Sequence, residues 1–117
     1  MHKKVAVITG ASRGIGKTVA TGLAKDGYLV CLLARSKDKL QEVAKLITQE
    51  NKLSNEQQPL VYECDVTNAK QVEEIVADIV KRVGQIDLLF NNAGILHFGT
   101  LENAQEFNEL INEFLMN

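Results

Sequence analysis

Thr9-Gly10-Ala11-Ser12-Arg13-Gly14-Ile15-Gly16 is the stretch on which the reading of this chain turns. It follows an apolar run, Val5-Ala6-Val7-Ile8, which has the pattern of a short buried strand. It precedes Thr18 to Lys25, which reads as helix. A strand, a glycine-rich turn and a helix in that order make a place for phosphate. Glycine permits the tight turn and lets backbone N–H groups approach an anion, and the helix start adds unpaired donors and a favourable dipole. The expected ligand is the pyrophosphate of a dinucleotide. The glycines at 10, 14 and 16 are spaced G-x-x-x-G-x-G rather than the commoner G-x-G-x-x-G.

Outward from this turn, the first helix carries Ile15, Val19 and Leu23 at i, i+4, i+8, a face expected to pack on a sheet, with Ala20 and Ala24 allowing close approach. Gly27 is its expected C-terminal stop. Leu29 to Ala34 is continuously apolar, as in a parallel strand buried on both faces. A second helix is predicted over Lys37 to Glu50, with Leu40, Val43, Ala44 and Ile47 inward. The polar stretch from Asn51 to Pro59 reads as a solvated connection. Leu60 to Cys64 is a third strand, and Thr67 or Asn68 a plausible N-cap. Val72, Ile75, Val76, Ile79, Val80 and Val83 then form a helical stripe that Gly84 ends. Ile86 to Phe90 is a fourth strand, followed by Asn91-Asn92-Ala93-Gly94, a loop, and a last helix marked by Phe107, Leu110, Ile111, Phe114 and Leu115.

The alternation of strands and helices predicts an α/β fold: a doubly wound parallel sheet of about four strands in the order 3-2-1-4 with flanking helices. With 117 residues, the chain is read as one domain, 1–117. The net charge of −2 gives no basic excess, so neither nucleic acid nor an anionic membrane is indicated. Cys31 and Cys64 fall in predicted strands and are read as reduced core thiols. No metal is expected. The N-terminus runs straight into the first strand with no apolar segment of signal length, so a cytoplasmic location is the default expectation.

In an open α/β sheet, ligands sit beyond the carboxyl ends of the strands. Four segments stand there: Gly10 to Gly16, Arg35-Ser36, Asp65-Val66 and Asn91 to Gly94. The end of the second strand offers Arg35 and no carboxylate before Asp38, although an acidic residue there would bond the ribose 2′-hydroxyl of NAD. A carboxylate repels the 2′-phosphate of NADP, whereas a guanidinium pairs with it. Arg13 is placed to approach the same phosphate, so NADP is the expected cofactor, with NAD the weaker ligand. The opposing reading makes both arginines solvated surface groups. Asp65 is a candidate acceptor for an adenine amino group or a cap for the next helix. Asn91 and Asn92 are candidates for bonds to neighbouring backbone or a ribose, or for a simple turn.

Thr9 to Gly16, Asp65-Val66, Ile86-Asp87 and Asn91-Asn92-Ala93-Gly94 together resemble the N-terminal half of the short-chain dehydrogenase/reductase family, from Lys4 to about residue 112. The resemblance implies a Rossmann-type domain that binds a nicotinamide cofactor, and hydride transfer between an alcohol and a ketone or aldehyde, with a small-molecule substrate. By position, Gly10, Ala11, Ser12, Arg13, Gly14, Ile15 and Gly16 would line the pyrophosphate. Arg35 would sit by the adenosine ribose, Asp65 and Val66 by the adenine, and Asn92, Ala93 and Gly94 along the cofactor. The glycine turn with Arg35 is similar to NADP-preferring ketoacyl and carbonyl reductases of the family.

The family's catalytic Tyr-x-x-x-Lys is missing. Tyr28 is followed four residues on by Leu32, and Tyr62 by Val66; the serines at 12, 36 and 54 all come too early. Aligning the last helix on Phe107 puts Phe114 where the family has a helical asparagine, and Asn112 or Asn117 fills that position only with a shift in register. A phenol near pKa 10 is a poor base without the lysine, so no residue is assigned a catalytic role. Three readings follow: a reductase truncated at its C-terminus relative to the family, a non-catalytic nucleotide-binding module, or a fragment whose sheet a partner or second copy completes. The third rests on the expectation that the fourth strand is left as an apolar edge.

Overall fold

The apolar run after Lys4 becomes the central strand of a sheet, β1 (Val5–Thr9), with Val5 to Ile8 all buried. The structure is a computed structural model that describes residues 3–65, 67–91 and 94–101, with side chains described through residue 90 apart from that of Ala69. The helix expected between Phe107 and Leu115 lies outside the described residues, as do Val66, Asn92 and Ala93.

After β1 the chain forms α1 (Gly14–Lys25), β2 (Leu29–Ala34), α2 (Lys37–Asn51), a 3-10 turn (Asn55–Gln57), β3 (Leu60–Glu63), α3 (Ala69–Val83), β4 (Ile86–Asn91) and β5 (Gly94–Leu101). The sheet order is β3-β2-β1-β4-β5. β1 pairs in parallel with β2, Val5 opposite Leu29 through Thr9 opposite Leu33, and with β4, Ala6 opposite Leu88 through Ile8 opposite Phe90. The parallel order 3-2-1-4 is therefore as expected.

The fourth strand is not an edge. β5 pairs with it antiparallel, Asn91 opposite Gly94 and Leu89 opposite Leu96. The expected open strand, with a loop leading to a helix after Gly94, does not hold, because the unpaired backbone of β4 takes up 94–101 as a strand. From Gly94 the chain instead runs back along β4 and pairs its backbone with it. The ladder between β4 and β5 shifts register between Ile86 and Leu88. Asp87, inside this irregularity, turns its carboxylate to the start of β1, where Oδ2 accepts from Val5 N at 2.8 Å and from Gln85 Nε2 at 2.7 Å.

Two apolar layers sandwich the sheet. On one face α3 buries Val72, Ile75, Val76 and Ile79 against Val5, Val7, Cys31, Leu33, Ile86 and Leu89. On the other, α2 buries Leu40, Val43 and Ile47 together with Ala6, Ile8, Val30 and Leu32. Each large side chain so buried is worth about 1.5–3 kcal/mol of transfer free energy. Helix ends follow local chemistry. The Ser36 hydroxyl accepts from Lys39 N at the start of α2, and Asn68 Oδ1 accepts from Gln71 N at the start of α3. Gly84, at φ +87°, stops α3.

α1 departs from the expected packing. Its buried face is Gly16, Ala20 and Ala24, whereas Ile15 is 75% exposed and Val19 and Leu23 are half-buried. The helix turns its smallest residues inward because it begins directly on the glycine turn and lies too close to the sheet for larger ones.

Candidate functional site

Each glycine of the turn meets a different physical demand. Gly10 and Gly14 have φ of +62° and +59°, the left-handed region that a side chain disfavours. Gly16 has no such requirement, but a Cβ on it would lie 2.2 Å from the Gly10 carbonyl oxygen and 2.7 Å from its carbon. The first two glycines reverse the chain, and the third lets α1 close onto the reversal. Between them Ala11 is fully buried, and its N–H donates to the Leu33 carbonyl at 3.2 Å, tying the turn to the end of β2.

Arg13 occupies the N-cap of α1 in extended backbone, and no side chain caps the helix start; its first turn carries no acidic residue. The donors there are thus left for a ligand. The turn opens on a cleft of about 460 Å³ lined by Thr9, Gly10, Ser12, Arg13, Ala34, Arg35, Ser36, Lys39 and Cys64. Three cations and no carboxylate line it. The cleft lies beyond the carboxyl ends of β1, β2 and β3. Nearby, Thr9 Oγ1 donates across to the Phe90 carbonyl at 3.5 Å, joining the ends of β1 and β4 where the strand order reverses.

Asp65 stands just outside this lining. Its Oδ1 accepts from Thr67 Oγ1 at 2.7 Å, Thr67 N at 3.0 Å and Arg35 Nη2 at 3.4 Å. The bonds from Thr67, with the Arg35 charge, hold its carboxyl below the usual carboxylate range. The backbone N–H of Asp65 donates to Gln71 Oε1 at 2.8 Å. Asp65 thus organises the turn before α3 while Asn68 is the cap. Cys64 is buried against the cleft, and burial raises its thiol pKa.

The turn residues and Arg35 come together at one end of the sheet. Gly10, Ser12, Arg13 and Arg35 share the cleft, Gly14 and Ile15 open α1, and Asp65 reaches Arg35. Gly94 begins β5 at the carboxyl end of β4. The sequence reading missed Lys39. The signal was its position four residues after Arg35, one helical turn into α2, which returns it to the rim where Arg35 leaves β2. The two tyrosines lie elsewhere. Tyr28 packs against the core layer beneath α1 and α2. Tyr62 donates to Asp78 Oδ2 at 2.7 Å and accepts from Arg82 Nη1 at 3.3 Å. Among the described residues, no cluster of three His, Cys, Asp or Glu is arranged to hold a metal, and no helix is long and apolar enough to cross a membrane.

A doubly wound sheet with a glycine-turn cleft at its switch point defines a dinucleotide-binding class of fold. The short chain dehydrogenase family profile matches residues 4–115, and the chain belongs to that family. It is 44% identical over 96 residues to an uncharacterized oxidoreductase of Staphylococcus saprophyticus, covering 82% of this chain and 39% of that protein. Among solved structures, a betaketoacyl-[ACP] reductase from Bacteroides thetaiotaomicron superposes with a TM-score of 0.72 at 43% identity, covering 80% of this chain and 41% of that one. An alcohol dehydrogenase from Thermococcus sibiricus, complexed with 5-hydroxy-NADP, superposes with a TM-score of 0.67 at 42% identity, covering 75% and 36%. The chain spans about two fifths of the length of these relatives.

Proposed function

We propose that this chain is the NADP(H)-binding part of an oxidoreductase that interconverts an alcohol and a ketone or aldehyde. The observation that carries the reading is the cleft, where Arg13 and Arg35 face a space with no carboxylate in its lining. The residues fit a dinucleotide. The Gly10–Gly16 turn closes onto α1 only without a side chain at 16, and the uncapped start of α1 suits a pyrophosphate. Arg13 and Arg35 would hold the 2′-phosphate, and Asp65 would stand near the adenine. Val66 would stand by the adenine as well, and Asn92, Ala93 and Gly94 would run along the cofactor. When bound, the cofactor supplies the hydride.

Proton transfer to the substrate oxygen is the step this chain does not provide. Tyr62 is bound to Asp78 and Arg82, and burial with the Asp78 bond pushes its pKa up to about 12. That is the wrong direction for a base at neutral pH. Neither tyrosine has a lysine four residues on. We therefore assign these 117 residues binding without turnover.

Titration of the chain with NADPH and NADH, read by cofactor fluorescence, tests the binding. One charge-assisted contact to the 2′-phosphate contributes about 1.5–3 kcal/mol, so NADPH should bind about ten- to a hundredfold more tightly. Equal affinities would remove the basis of the proposal. NADPH oxidation with a panel of aldehydes and ketones should stay at background.

A further inference from the structure

We propose that Lys39 is a specificity-determining residue of the cleft, supplying the cation for a 2′-phosphate that Arg35 supplies only in part. The inference rests on the cofactor reading above. Arg13, Arg35 and Lys39 all line the same cleft, yet their charges are not equally available. Arg35 Nη2 is 3.4 Å from Asp65 Oδ1. Asp65 is itself fixed by two bonds from Thr67, so the carboxylate cannot swing away without breaking them. A phosphate approaching Arg35 meets a guanidinium already partly neutralised, with a carboxylate behind it.

Lys39 and Arg13 form no ion pair among the described residues. Lys39 is exposed, and its backbone N–H is held to the Ser36 hydroxyl at 3.4 Å, which fixes the first turn of α2 at the rim. The only carboxylate in that turn, Asp38, is absent from the cleft lining. Lys39 therefore lines the space with no ion-pair partner among the described residues. The discrimination that sequence position assigns to Arg35 is shared, and Lys39 carries a substantial part of it.

The test uses the full chain in four forms of ligand: NADPH, NADH, 2′,5′-ADP and 5′-AMP, each titrated by calorimetry. Lys39→Gln should weaken NADPH and 2′,5′-ADP about three- to tenfold, the scale of one solvent-exposed charge contact on a dianion. NADH and 5′-AMP should be unchanged, and Lys39→Arg should retain most of the preference. The side chain is exposed and makes no described contact with the core, so the variant should unfold at the wild-type temperature by circular dichroism. If the wild type prefers NADPH and Lys39→Gln keeps the whole preference, Lys39 has no such role while the cofactor reading stands. If NADPH and NADH weaken together, Lys39 acts on the common part of the cofactor and the specificity role is wrong. If the wild type shows no preference, both the cofactor reading and this one fall.

Discussion

Replacing Gly16, Gly14 and Gly22 by alanine, one at a time, should give three different outcomes, because the three sites meet three different constraints. At Gly16 the added Cβ would be 2.2 Å from the Gly10 oxygen, 2.7 Å from the Gly10 carbon and 3.1 Å from the Thr9 oxygen, where ordinary contact begins at 3.4 Å. The obstructing atoms are backbone, and the Gly10 oxygen must retreat by more than 1 Å. Overpacking typically costs about 1–3 kcal/mol when side chains can adjust, so a clash against main chain should cost ~3 kcal/mol or more. At Gly14 nothing lies within 4 Å of the new Cβ, and the penalty is the left-handed backbone at φ +59° alone, about 1–2 kcal/mol. At Gly22, inside α1, nothing lies within 4 Å and no positive φ is required. Helix propensity then favours alanine by about 0.8–1 kcal/mol. For a domain of this size 1 kcal/mol moves Tm by roughly 4–8 °C. Gly16→Ala should therefore melt ~12 °C or more below wild type, Gly14→Ala less far below, and Gly22→Ala above it. Urea denaturation followed by far-ultraviolet circular dichroism gives the same order as free energies. The close fit of α1 onto the turn would be refuted if Gly16→Ala were no less stable than Gly14→Ala. The whole account of small residues on this helix would weaken if Gly22→Ala were destabilising.

Asp87→Ala should lower stability by about 1–3 kcal/mol in urea, because it removes the acceptor for Val5 N at the edge of the core; a loss below about 0.5 kcal/mol would show that water replaces it. Asp65→Asn removes the charge beside Arg35 and should raise the NADPH:NADH affinity ratio about two- to fivefold; an unchanged ratio would mean the pair does not restrain Arg35. Tyr62 ionises at about 12 in the fold against an ordinary 10, so its contribution is complete below pH 10 and lost as pH rises through 12; Tyr62→Phe should flatten the alkaline decline of Tm over that window. Cys31 is fully buried, and burial pushes its thiol up to about 12; a disulfide reagent at neutral pH should label it only at the rate of unfolding.

The sequence exposed those parts of the fold whose physics is local. Continuous apolar runs at Val5 to Ile8 and Leu29 to Ala34 can only be buried on both faces, and the stripe from Val72 to Val83 can only be one face of a helix. Strand order 3-2-1-4 then followed from right-handed crossovers. β5 was not legible in the same way. Gly94 to Leu101 opens on a glycine, has a second at 99 and carries a histidine among apolar residues, so it lacks a clean alternation. What makes it a strand is the free edge of β4, the strand immediately before it, along which it pairs antiparallel from Asn91 opposite Gly94 onward.

The helix α1 shows how a local rule fails when a turn overrides it. Periodicity ranks Ile15, Val19 and Leu23 as the buried face, because it weighs hydrophobicity and has no term for distance. The distance is set by Gly16 against Gly10, and once that contact fixes the helix axis the inward positions are 16, 20 and 24, where only small residues fit. Displacing the large residues by one position leaves Ile15 exposed beside the same turn that lines the cleft. The same limit hid Lys39. Reading the segments directly after each strand finds Arg13, Arg35 and Asp65, but a residue one turn up the following helix returns to the rim only in three dimensions. The spacing from Arg35 to Lys39 was present in the sequence; the Asp65 partner that makes the difference between the two cations was thirty residues away. Specificity in this cleft is thus a property of which charges are already paired, and that pairing is what a list of basic residues does not contain.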